Sequence, residues 1–294
     1  MIDNPHYVAP STDSFAYEPP DNSVVADVVE EIQEDNVADH LKNMSGDAHV
    51  YRTGEKDDLT IDDLRQMTTP PPTDTHYPVP HVEFVENILE PAEKILSVDN
   101  FKLDDLIMSV SGEDDSRLFG AAVFRNGRED INLAIGFRQS NDKSMSAALA
   151  VGGNVRVCKN MMFCGQETVM RKHTKNIKKD LRGRVIEALY DVNRDWKELQ
   201  EDTDGMKRAT HTDDEAYALF GLAYGRKILS IQQMSLAKQE WDKPSFDHGE
   251  KSLWRWYNAC TQVFKGLKPN QAFRKYRELH EFSTEQRSMD SIFV

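Results

Sequence analysis

Between Leu133 and Thr174 the sequence gathers the side chains that could do chemistry: Arg138, Ser140, Asn141, Asp142, Ser144, Arg156, Cys158, Asn160, Arg171, His173 and Thr174. Cys158 with His173 has the composition of a nucleophile and its base. That pairing requires hydrogen-bond contact and an orienting third group, for which Asn160 is the nearby amide. Cys158, Cys164 and His173 also suggest a metal set. Zinc pairs, however, usually stand two to four residues apart and need four ligands. Here five residues separate the cysteines and no fourth ligand is evident. The expectation is therefore two buried thiols and a structural histidine. A Walker A loop, a G-x-G-x-x-G turn and a nuclease-like carboxylate cluster are all missing, which argues against NTPase, dehydrogenase and two-metal nuclease chemistry. No catalytic residue, metal or cofactor is assigned, and the residues favour a binding protein over an enzyme without deciding the matter.

A second chemistry is electrostatic. Between Gly152 and Tyr190 there are nine Lys/Arg against three Asp/Glu. Arg138, Arg156, Lys159, Arg171, Lys172, Lys175, Lys178 and Lys179, followed by Arg182 and Arg184, could track a phosphate backbone. Phe137, Phe163 and His173 could stack on bases. The whole chain nevertheless carries a formal charge of -14. Residues 1–100 hold 22 acids and 5 bases, whereas residues 101–294 hold 28 and 31, so the acidity belongs to the N-terminal third. The basic block could equally be a solvated face or a cradle for the acidic arm.

The elements that must position these residues follow from periodicity. Residues 1–76 read as an acidic, flexible, largely disordered arm, with proline clusters and little apolar content. Two short helices punctuate it, around Val24–Ile32 and Thr60–Met67. Its removal, as residues 1–75, is expected to leave the fold intact. A single α+β domain is predicted over 77–294, strand-rich over 115–172 and helical over 175–285. His81–Val98 has helical spacing, with Pro91 expected to kink or restart it. Arg117–Asn126, Ile131–Arg138, Ala147–Cys158 and Gln166–Arg171 read as strands of an antiparallel β-meander. Asn126-Gly127 supplies turn chemistry, and Gly152-Gly153 marks a bulge or close backbone approach. From Lys175 the apolar residues recur every three or four positions, a long amphipathic helix. Thr212 with Glu215 forms a capping box for the next helix. Helices over Ile231–Trp241, Ser252–Lys265 and Asn270–Glu281 complete the C-terminal half. Trp254, Trp256 and Tyr257 span a wide arc, so one of them should face solvent or a partner. Asn258 beside them is read as satisfying a buried backbone group.

Four segments in order resemble a known family: YPVPHVEFVENI, RLFGAAV, IGFRQSNDKSMSAALAVGGNVRVCKNMMFCGQETVMRKHT and SLWRWYNACTQVFKG. The chain from Tyr77 onward resembles the phage- and plasmid-encoded proteins grouped as domain of unknown function 932. The polar residues carrying the likeness are Ser140, Asn141, Asp142, Cys158, Asn160, His173, Thr174 and Asn258. The likeness implies a mobile-element setting and supplies no reaction. The meander followed by a long helix is also the element order of phage single-strand annealing proteins. Together these readings lead to an accessory protein that binds nucleic acid, single-stranded DNA first, in replication or recombination. The alternative is a protein-interaction module that counters a host defence complex. A homo-oligomer is compatible with either. Three cysteines, no long apolar run and no apolar leader lead to a cytoplasmic expectation, in the host cytoplasm if phage-encoded.

Overall fold

The computed structural model describes residues 48–52, 58–59, 61–163, 169–171, 177–265, 267 and 269–290. Eight strands form one sheet: β1 (Ala48–Arg52), β2 (Asp58–Leu59), β3 (Lys102–Ser111), β4 (Arg117–Arg125), β5 (Ile131–Ser140), β6 (Ala147–Val155), β7 (Asn160–Phe163) and β8 (Val169–Arg171). Their order is β2-β1-β3-β4-β5-β6-β7, and β8 also pairs with β6. The helices are α1 (Ile61–Gln66), α2 (His81–Ser97), α3 (Ile177–Arg208), α4 (Asp213–Gly225), α5 (Ile231–Asp242), α6 (Leu253–Phe264) and α7 (Pro269–Asp290).

From β3 to β7 the strands are sequential and antiparallel, as the meander reading requires. Two features depart from it. β3 escapes a periodicity reading because Asp104-Asp105 interrupts its apolar run. β1 then joins β3 in parallel, so the sheet reaches back into the segment read as arm. Ile61 and Leu64 of α1 are also buried in the core. The packed region thus starts well before Tyr77, and α7 carries it on to Asp290.

One face of the sheet packs on α2 and α3. Phe137 of β5 meets Phe84 of α2 edge-to-face at 6.2 Å. Gly120 lies under that ring, where a Cβ would stand 2.4 Å from Phe137. Gly153 admits Leu199 of α3, which a Cβ would meet at 3.0 Å; the sequence reading of a close approach here holds. The apolar row of α3, Ile177, Leu181, Val185, Leu189, Val192, Trp196 and Leu199, is buried throughout. Helix α2 runs through Pro91 as one segment rather than restarting. Ser252 caps α6, and its side chain accepts from the Arg255 backbone N–H. Trp254, Trp256 and Tyr257 are all buried, which corrects the expectation that one is exposed. Trp254 stacks on Tyr257 at 6.1 Å. Trp256 lies 5.2 Å from Phe220 of α4 and 5.6 Å from Phe282 of α7. A helix enclosed by several neighbours can bury a wide aromatic arc.

Candidate functional site

The polar residues after β5 form a latch. Asp142 accepts from Arg117 Nε at 2.7 Å, from Ser116 Oγ at 3.2 Å and from the Ser144 backbone N–H at 2.9 Å. Burial would raise the Asp142 pKa, but hydrogen bonds from Ser144, Arg117 and Ser140 outweigh it and hold the carboxyl far below the usual range. Ser140 Oγ accepts from the Met145 backbone N–H and donates to its carbonyl, both at 3.0 Å. His76 Nε2 reaches the Asn141 carbonyl at 3.0 Å. The Arg117, Ser116 and His76 contacts tie the β5–β6 loop to its neighbours, and the Ser144 and Met145 contacts shape it from within. The latch reads as structural.

Cys158 and Asn160 meet Asn258, about a hundred residues further along the chain, in a second buried network. Asn160 Nδ2 donates to the Asn258 carbonyl at 3.2 Å and to Thr261 Oγ1 at 2.9 Å. Asn258 Nδ2 donates to the Trp254 carbonyl at 2.9 Å, which is the backbone-satisfying role read from sequence. Cys158 Sγ stands 3.7 Å from Asn258 Oδ1, and Lys265 Nζ donates to the Cys158 carbonyl at 2.6 Å. Burial pushes the Cys158 thiol above its ordinary pKa, the opposite of what a nucleophilic thiolate needs. The network pins the β6–β7 turn to α6. Cys164, His173 and Thr174 lie outside the described residues. Among the described residues no cluster of three or more His, Cys, Asp or Glu side chains is arranged to hold a metal.

The basic block divides. Arg138 lies half-buried on the outer face of β5, opposite Phe119 and Ala148. Arg182 is spent on buried Glu90 at 3.0 Å. Arg171 is in β8 opposite Ala147, and Lys178 and Lys179 begin α3; Lys172 and Lys175 lie outside the described residues. Arg156 and Lys159 do come together, exposed on the β6–β7 turn. They line a polar cleft of about 340 Å³ with Asp104, Asp105, Val123, Asn132 and Asn154. Lys159 reaches Asp105 only loosely, at 3.9 Å, with its side chain 74% exposed. Asn132 is buried, and its Oδ1 has no hydrogen-bond partner among the described residues. Arg138 is six positions along β5 from Asn132, roughly 20 Å along a strand. Among the described side chains, Arg138 and the Arg156–Lys159 pair therefore stand apart on the sheet. Sequence reading missed Asp105, Asn132 and Asn154. Asn132 and Asn154 are opposite one another across β5 and β6, a juxtaposition that needs the register and not just the strands.

The pattern Domain of unknown function (DUF932) matches residues 116–291, more than half of the chain. The chain belongs to that family. No curated protein and no solved structure matches it. In this DUF932 member the matched span takes in β4 to α7, and with them the latch apart from His76, the asparagine network and the β6–β7 turn. No helix among the described residues is long and apolar enough to cross a membrane.

Proposed function

We propose that the protein binds single-stranded nucleic acid, DNA first, as an accessory factor of a phage or plasmid in replication or recombination. One observation carries the reading: Arg156 and Lys159 stand exposed on a turn fastened to α6, Arg156 steadied by the Arg128 carbonyl at 3.1 Å, and line a polar cleft with Asn132, Asn154, Asp104 and Asp105. Two cations on a pinned turn lose little freedom when they meet phosphates. The mobile-element setting comes from the family resemblance of the motif segments. Fluorescence anisotropy with a labelled oligo-dT tests the binding. Low-salt association should weaken several-fold in Arg156→Ala/Lys159→Ala; a wild-type protein that leaves the oligonucleotide free at low salt contradicts the reading.

A different observation favours the second reading, a protein-interaction module that counters a host defence complex. Leu222, Tyr224, Ile231 and Leu236 on α4 and α5 are each about half exposed, and exposed apolar side chains are what a partner surface offers. Leu222→Asp with Ile231→Asp should release a co-purifying protein and leave oligonucleotide affinity alone. Retention of every partner by that variant contradicts this second reading.

A further inference from the structure

The outer face of β3 and β4 carries a second hollow beside the polar cleft. It measures about 290 Å³, with Ile107, Phe119 and Ala121 on its floor and Met161 and Tyr276 at its wall. Lys159 lines both hollows. The register makes them neighbours. Ile107 and Asp105 are successive same-face positions on β3, Ala121 and Val123 on β4, and Met161 pairs with Asn154. A two-residue step is roughly 7 Å. The face therefore holds one groove with an apolar, aromatic end, a polar end and a lysine at the divide. Each hollow alone is near the lower limit for a small-molecule site, ~300 Å³, and the two together are well within the range.

A nucleotide is divided in the same way, into a flat base with an apolar face and an anionic sugar-phosphate. We propose that this groove seats one nucleotide of a bound single strand. The base lies in the apolar end against half-buried Ile107 and Met161, over the edges of the buried Phe119 and Tyr276 rings. The phosphate meets Lys159 and Arg156, and the amides of Asn132 and Asn154 flank the sugar. Two carboxylates share the polar end: Asp104 is paired with Arg125 at 3.3 Å, and half-buried Asp105 holds the exposed Lys159 only loosely, at 3.9 Å, which leaves that lysine able to swing to a phosphate. Apolar contact with the face of a base does not depend on which base it is, so the seat tolerates sequence. This proposal rests on the nucleic-acid reading and adds to it the place and the unit of recognition.

Two measurements on the full chain test it. Oligo-dT carrying 5-iododeoxyuridine is cross-linked to the wild type and the modified peptides are mapped; cross-links should fall on peptides containing Phe119, Met161 or Tyr276. Ala121→Phe fills the apolar end and should weaken oligo-dT binding roughly tenfold, in line with loss of one seated base. If that variant does not fold, the wild-type cross-links decide alone. Tight oligonucleotide binding with cross-links elsewhere, or with Ala121→Phe unaffected, overturns the groove while the nucleic-acid reading stands. Filling of the groove by an acidic peptide without competition from the oligonucleotide also overturns it. Absence of any low-salt binding removes the broader reading and this proposal with it.

Discussion

Lys159 occupies the left-handed region, at φ 55°, where a side chain bearing a Cβ costs about 1–2 kcal/mol relative to glycine. The asparagine network and the Lys265 bond to the Cys158 carbonyl hold the turn in that state. Lys159→Gly should therefore leave stability unchanged or raise it by up to about 1 kcal/mol in urea unfolding, while lowering oligonucleotide affinity. A loss of stability would show that the lysine is needed by the turn and not by a ligand. The cysteines give a second test at this scale. Cys158 and Cys260 are buried and their thiols are raised by burial. Neither should react with a thiol reagent until the protein unfolds; rapid native labelling of Cys158 would revive the nucleophile it resembles in sequence. Residue types are legible here, since Cys158, Asn160 and Asn258 stand out from the amino-acid sequence by type and position. Their role is not, because nothing in the sequence says that Asn160 meets Thr261.

At the scale of elements, His81 joins the start of α2 to the sheet. Its Nδ1 accepts from Gln139 Nε2 at 2.8 Å and its Nε2 donates to the Asp115 carbonyl at 2.8 Å. Burial lowers its pKa, more than the Asp115 carbonyl raises it. The unfolded chain then takes up the proton first, near the ordinary value of about 6.5. The stabilisation is whole above that pH and is lost as pH falls through the lower folded value. His248, lowered by burial, acts in the same direction. The melting temperature should drop between about pH 7 and 5, and His81→Gln, which cannot titrate, should flatten that drop. An unchanged profile in the variant would remove His81 as the cause. The helices are the legible elements: the α3 row and the Thr212–Glu215 box sit where periodicity and capping chemistry put them. β3 and β7 are not. The acidic pair in β3 hides its alternation, and β7 is four residues long, set off from β6 by a turn that uses lysine in place of glycine.

For the whole molecule, the boundary of the fold differs from the boundary of composition. Residues 1–76 are acidic and proline-rich, yet β1 pairs with β3 and α1 buries Ile61 and Leu64. The expectation that residues 1–75 are dispensable does not follow from such a structure. A chain beginning at Thr75 should melt well below one beginning at Asp47, because losing even one buried leucine costs roughly 2–5 kcal/mol. Equal melting temperatures would show that α1 and β1 add nothing to the core. Charge is also a property of the whole. Residues 1–47 hold 11 Asp/Glu and one Lys, a long-range repulsion toward any polyanion, so removing them should tighten low-salt oligonucleotide binding. The direct test of the central claim is the salt dependence of oligo-dT affinity in the wild type and in Arg156→Ala/Lys159→Ala. Each phosphate contact on a single strand releases about 0.7 of a counterion, so the log–log slope should fall by about 1.4 in the double variant. Identical slopes in the two proteins would contradict the claim that this turn holds the strand.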